Sequence, residues 1–234
     1  TDKKLQTQPI VILGGFLITD EAYAPMVEWF KKELSLSLKI VHVSKFDWLL
    51  TSWAFGWRRI LDRVDQAVLS VQNTSPTGKV TLIGHSSGGV MLRLYLADLE
   101  FAGRIYGGRK RCNYLISLGS PHQAKRATRL RAMVDNLYPG CFYAEDVRYI
   151  SVAGSLPLDT IFASDFAKKT ARNSYQSMIE NRKSEGDGLV PLESALLKDS
   201  KHIVLPETSH SKIFGDNWYG ELSTIPKWWQ SCFK

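Results

Sequence analysis

"KVTLIGHSSGGVMLRLYL", residues 79–96, sets two apolar runs end to end with two serines and three glycines at their junction. The first run, 79–84, is β-branched and reads as a strand. The second, 88–100, is apolar almost all round and reads as a buried helix. No polar loop separates them. Gly84-His85-Ser86-Ser87-Gly88 is a G-x-S-x-G pattern. In such a strand-to-helix turn the central serine is forced into a strained backbone conformation and its hydroxyl is lifted off the sheet. The flanking glycines let strand and helix approach without Cβ clashes, and the helix amino terminus favours developing negative charge. Nucleotide loops fit worse, because neither GxxxxGK nor GxGxxG after a strand is present.

Outward from this junction the chain alternates. Residues 9–15, 39–44, 113–119, 148–154 and 201–206 read as further strands. Residues 21–38 and 57–72 carry apolar residues at helical spacing, such as Ile60, Val64, Ala67, Val68 and Val71. Strands alternating with helices imply a mostly parallel sheet of about six strands, covered on both faces. Sites on such sheets lie at the carboxyl ends of the strands.

A serine hydroxyl needs a base, and the base needs an orienting acid. On this type of sheet the order is Ser, acid, His. Of the five histidines, His42 is early, His85 adjoins the serine and His202 begins the last strand. His210 lies in a loop beyond that strand's carboxyl end, where an imidazole can swing over Ser86. Eight carboxylates between residues 155 and 209 satisfy the order, among them Asp159, Asp165 and Asp187. Asp187 stands out because Gly186 and Gly188 shape a tight loop and "LVP" anchors it. The alternative for "DG" is an ordinary surface turn. The oxyanion donors expected are the amides of Ser87 and of Phe16, which follows Gly14-Gly15.

The segments "PIVILGGF" (9–16), "VTLIGHSSGG" (80–89), "LISLGSPH" (115–122), "GDGLVPLESA" (186–195) and "TSH" (208–210) together resemble the lipase branch of the α/β-hydrolase superfamily, with cyanobacterial and plastid lipase-like hydrolases as the nearer likeness. The resemblance implies an α/β-hydrolase fold with Ser86, Asp187 and His210 as nucleophile, acid and base. It implies Phe16 and Ser87 as oxyanion donors, and no cofactor or metal. Gly14-Gly15 departs from the His-Gly of many lipases, so a loop hydrogen bond there is missing or replaced. The first two strands of the full fold are also missing from the pattern.

The chain of 234 residues, 44% apolar, reads as a single domain over 1–234, with a lid-like insertion at 121–147 and a second insertion at 155–185 before the acid loop. No apolar stretch approaches the roughly 20 residues of a membrane span. The polar start shows no signal peptide, and a first residue other than Met fits a trimmed or cleaved precursor. Three cysteines without CxxC form neither a disulfide framework nor a zinc site. The expectation is a soluble or peripheral membrane protein, cytoplasmic or plastid rather than secreted.

The net charge is +7. Residues 101–134 hold eight bases, including Lys125, Arg126 and Arg129, and no acid, while the rest of the chain is close to neutral. That stretch suits an anionic membrane surface, or else is a solvated basic face; nucleic acid is not an expected partner. In 44–57 the aromatic residues, Trp48 and Trp53 among them, suit an apolar lip that contacts acyl chains or membrane, or else core beneath a long loop. The function expected is cleavage of carboxylic esters, acyl esters of glycerolipids first. Alternatives are a small-ester esterase or thioesterase, a prenyl-ester (pigment) hydrolase, and a binding protein on the same fold without turnover.

Overall fold

A computed structural model describes residues 6–123, 127–179 and 184–234. Its sheet has six strands: β1 (Ile10–Leu13), β2 (Leu38–Ile40), β3 (Val80–His85), β4 (Cys112–Leu118), β5 (Arg148–Ser155) and β6 (Lys201–Pro206). Every pairing is parallel, and the spatial order is β2-β1-β3-β4-β5-β6. Parallel neighbours need crossovers, and these are helical. Among the described residues the α-helices are α1 (Ala24–Leu34), α2 (Lys45–Leu49), α3 (Ala54–Gln72), α4 (Ser87–Tyr95), α5 (Arg129–Leu137), α6 (Asp165–Met178), α7 (Leu192–Ala195) and α8 (Ile225–Cys232).

The two faces of β1 show why both sides must be covered. Val11 and Leu13 pack with Ile60, Val64 and Val68 of α3 and with Val90 and Leu94 of α4. Ile10 and Ile12 pack on the other side with Met26 and Phe30 of α1 and Trp228 of α8. A strand buried on both faces reads as a continuous apolar run, which is what residues 9–13 supply. Strand β2 is shorter than the 39–44 expected. Its partner β1 has only four residues before it turns into the loop at Gly14, so the ladder ends soon after Val41 N donates to the Ile12 carbonyl at 2.9 Å. The helix expected over 21–38 begins later, with a 3-10 turn at Asp20–Tyr23 and Pro25 in the first turn of α1, and ends at Ser35 in a left-handed conformation, φ 54°.

The expected insertions carry α5 (within 121–147) and α6 (within 155–185). Lys125 and Arg126 lie outside the described residues. Arg129 is exposed at the start of α5. Three bases of the 101–134 stretch are not free charges. Arg104 pairs with Asp62 and Asp65, Arg109 with Asp98 and Asp146, and Arg111 with Asp65. The acids come from elsewhere in the chain, so a local charge count overstates the basicity of this face. No helix among the described residues is long and apolar enough to cross a membrane.

Candidate active site

Strand β3 runs straight into α4 through Ser86, whose φ of 53° and ψ of −125° lie outside the ordinary regions for a side-chain-bearing residue. The strain persists because the surroundings fix it. Ser86 N–H donates to the Leu118 carbonyl at 2.9 Å. A Cβ on Gly84 would stand 2.3 Å from the Cα of Gly89, so strand and helix close up only because both residues are glycine. Ser86 is nearly buried at the carboxyl edge of the sheet.

Asp187 and His210 are brought there from beyond β5 and β6. His210 Nδ1 lies 2.8 Å from Asp187 Oδ2, and His210 N–H donates to the Asp187 carbonyl at 2.8 Å. Both residues are buried. Asp187 Oδ1 accepts the amides of Leu189 (3.1 Å) and Val190 (2.8 Å), so the tight loop predicted from sequence supplies its own carboxylate donors. Oδ2 also accepts the Tyr219 hydroxyl at 2.8 Å. Burial, with the Asp187 charge beside it, pushes the Tyr219 phenol well above its ordinary value, so it stays a donor. Tyr175 of α6 braces the same loop by accepting the Gly188 amide at 2.7 Å. A carboxylate that accepts from two amides and a phenol offers the imidazole an acceptor, so Nδ1 of His210 carries the proton and Nε2 is left with a free lone pair. Among the described residues no hydrogen bond joins Ser86 to that nitrogen; sites of this kind commonly close the contact only with substrate.

A second network, which no spacing in the sequence marks, stands behind these residues. Gly15 N–H donates to the Tyr23 hydroxyl at 2.9 Å, which lies 2.7 Å from His85 Nδ1, and His85 Nε2 lies 2.9 Å from the His210 carbonyl. Donor counting orders the chain. The carbonyl can only accept, so Nε2 carries the proton, and Nδ1 accepts from Tyr23. Burial, aided by the neighbouring His210, holds the His85 imidazole neutral, its pKa pushed down to about 3. The relay therefore ties the loop after β1 to the loop of His210, and it replaces the hydrogen bond that Gly14-Gly15 left in doubt. With the Gly15 amide occupied, the Phe16 and Ser87 amides stay without a main-chain acceptor among the described residues. Changing Tyr23→Phe leaves the Gly15 amide and His85 Nδ1 unpartnered, a cost of about 1–3 kcal/mol. We expect kcat on a soluble ester to fall by about tenfold with little change in KM. An unchanged kcat with only a lowered melting temperature would confine Tyr23 to packing.

The other histidines sit apart. His42 pairs with Asp20 at the surface, 2.7 Å away, and His202 Nε2 bonds the Leu197 carbonyl at 2.9 Å. His122 is buried and bonds Ser117 Oγ at 2.9 Å. Asp159 and Asp165 are exposed. Among the described residues no cluster of three or more His, Cys, Asp or Glu could hold a metal ion.

The structure separates the two tryptophans of 44–57. Trp48 is 1% exposed, packed with Val43, Trp57 and Leu61 in the core layer over β1, so it is not part of an exposed lip. It walls a cavity of about 180 Å³ with Phe16, Trp57, Ser87, Met91 and Arg131. Trp53 is 56% exposed and stacks on Phe55, ring centroids 5.9 Å apart.

A six-stranded parallel sheet, a strained serine turn after β3, and a paired acid and histidine after β5 and β6 define an α/β-hydrolase fold. Solved structures of that fold superpose on this one. Phospholipase PlaB from Legionella pneumophila does so with a TM-score of 0.59 at 15% identity, over 89% of this chain and 55% of that one. The Bacillus licheniformis lipase BlEst2 gives a TM-score of 0.55 at 16% identity, over 90% of this chain and 48% of that one. This chain thus spans about half the length of those two proteins. Ferulic acid-bound Est1E from Butyrivibrio proteoclasticus gives 0.52 at 14% identity, over 97% of this chain and 89% of that one. No family model matches the sequence, and no curated protein matches it.

Proposed function

We propose that this protein is a serine hydrolase that cleaves carboxylic esters, acyl esters of glycerolipids first among them, through an acyl-enzyme on Ser86. The observation that carries the reading is the Asp187–His210 pair, buried, fully supplied with donors and set beside a strained serine. His210 Nε2 takes the proton of Ser86 Oγ as the oxygen attacks the ester carbonyl, and Asp187 stabilises the imidazolium. The amides of Phe16 and Ser87 receive the developing oxyanion. Collapse expels the alcohol, which takes the proton from His210. Water, deprotonated by the same nitrogen, then attacks the acyl-enzyme, releasing the acid and restoring Ser86.

The glycerolipid substrate is supported by the rim. Phe46, Leu49, Trp53 and Phe55 are exposed along residues 46–55, next to the cavity that begins at Phe16 and Ser87. A contiguous apolar rim of this kind suits an acyl chain or a lipid surface. Docking on anionic lipid would rest on Arg129 and its neighbours, since Arg104, Arg109 and Arg111 are already paired. The size of the cavity favours a second reading, a short-chain esterase, because a short acyl group is enough to fill about 180 Å³.

A series of p-nitrophenyl esters from acetyl to palmitoyl, run beside phospholipid and galactolipid dispersions, decides between them. The glycerolipid reading expects rates that rise on the dispersions and with chain length. A maximum at the shortest esters, with no gain on lipid, would leave the short-ester enzyme. Failure of a fluorophosphonate to label Ser86 would overturn both.

A further inference from the structure

The cavity beside Ser87 has an unusual wall. Most of it is carbon, from Phe16, Trp57, Val90 and Met91. The hydroxyl residues Thr51, Ser52, Ser87 and Thr128 also line it, and two further polar groups in the lining can only donate. One is the guanidinium of Arg131, on the first turn of α5. The other is the indole of Trp48, whose Nε1 is buried with no hydrogen-bond partner. An indole N–H and a guanidinium can be satisfied only by acceptors.

Arg131 differs from the other half-buried or buried arginines of this face. Arg63 pairs with Asp47, Arg93 with Asp135, and Arg104, Arg109 and Arg111 with the aspartates named above. Arg131 has no acid partner among the described residues, and burial alone displaces its ionisation, downward. An unpaired cation in a mostly apolar wall is costly, and the cost is offset when an anion enters. The guanidinium fork matches a carboxylate or a phosphate with two parallel hydrogen bonds. Thr128, which also lines the cavity, accepts the Arg131 amide at 3.4 Å, which holds the arginine's own turn against the wall.

We propose that this cavity is an anion-selecting subsite, in which the Arg131 guanidinium receives a carboxylate or phosphate carried on the ester a few bonds from the scissile carbonyl. The proposal rests on the short-ester form of the hydrolase reading above and narrows its substrate class to esters that bear a negative charge. The cavity starts at Ser87, next to the nucleophile, so one short substrate reaches both.

Two matched pairs of esters separate the sources of the charge. On the acyl side, the p-nitrophenyl half-ester of glutaric acid is compared with p-nitrophenyl valerate. On the alcohol side, monobutyryl glycerol phosphate is compared with monobutyrin. In the wild-type protein the charged member of one pair should have a kcat/KM at least about tenfold above its neutral partner, the scale of one charge-assisted contact. Arg131→Gln should bring that ratio close to one, chiefly through KM, and Arg131→Lys should restore part of it. Equal kcat/KM within both pairs, or a preference that survives Arg131→Gln, would overturn the subsite. The wild-type comparison requires no variant, so a poorly folding substitution does not rescue the idea. If neither pair is turned over, the hydrolase reading fails separately. The subsite is then judged by calorimetric titration of monomethyl glutarate and glycerol phosphate. Binding of one of them that Arg131→Gln removes supports it, and no binding, or equal binding to both proteins, overturns it.

Discussion

Ester turnover disappears when Ser86 is replaced by alanine, while the protein keeps its fold. The loss expected is on the order of 10⁶ in kcat, the scale seen when the nucleophile of a comparable triad is removed. The reason is local. Ser86 contributes one hydroxyl at the top of the β3–α4 turn, and its backbone is fixed by the Leu118 carbonyl and by the close approach of Gly84 to Gly89, none of which involves Oγ. Alanine keeps those contacts. It must still adopt φ near 53°, so the melting temperature should change little or fall slightly. Steady-state hydrolysis of a short p-nitrophenyl ester, with circular dichroism as the control, measures both. More than a few per cent residual activity in purified Ser86→Ala protein would show that the nucleophile lies elsewhere.

Asp187→Asn is expected to cost about 10⁴ in kcat. The four donors around Asp187 explain why. An asparagine has one acceptor oxygen, and the Leu189 and Val190 amides compete for it with Tyr219 and His210. With its oxygen turned to the two amides, its NH₂ faces His210 Nδ1 and donates to it. The imidazole proton is then driven to Nε2, the nitrogen that must accept from Ser86. Asp159→Asn and Asp165→Asn alter exposed side chains and should leave kcat within about twofold. Comparing the three variants on one ester settles the assignment. Equal losses at Asp159 or Asp165 would point to a different acid.

Much of this was legible in the sequence because it is written in short-range pattern. Residues 9–13 are a continuous apolar run, as two-sided burial demands, and the Ser86 turn is a local conflict between strand and helix that glycine resolves. The pairing of Asp187 with His210 follows from chain order on a parallel sheet. What the sequence does not display is contact through space. Tyr23, Tyr175 and Tyr219 act through hydroxyls that meet Gly15, Gly188 and Asp187 across 8, 13 and 32 residues, and no spacing rule marks them. Sequence alone leaves lip and core open for Trp48 and Trp53, five residues apart, and only the fold buries the first and exposes the second. The basic stretch hides its counter-ions in the same way, since they come from Asp62, Asp65, Asp98 and Asp146. Gly14-Gly15 flagged a missing bond, and only the folded chain shows Tyr23 filling it.

The order of the strands has a consequence for how the protein comes to life after synthesis. Ser86 follows β3, in the interior of the sheet, whereas His210 hangs from β6, an edge strand, which is held by β5 on one side and by the packing of α8. Strand β6 is also the last of the six to be made, so the strands around Ser86 can pair before it exists. A growing chain can therefore have its nucleophile in place while its base is still absent. The first turnover of substrate reports the docking of the last strand, and catalytic recovery serves as a clock for the final step of folding.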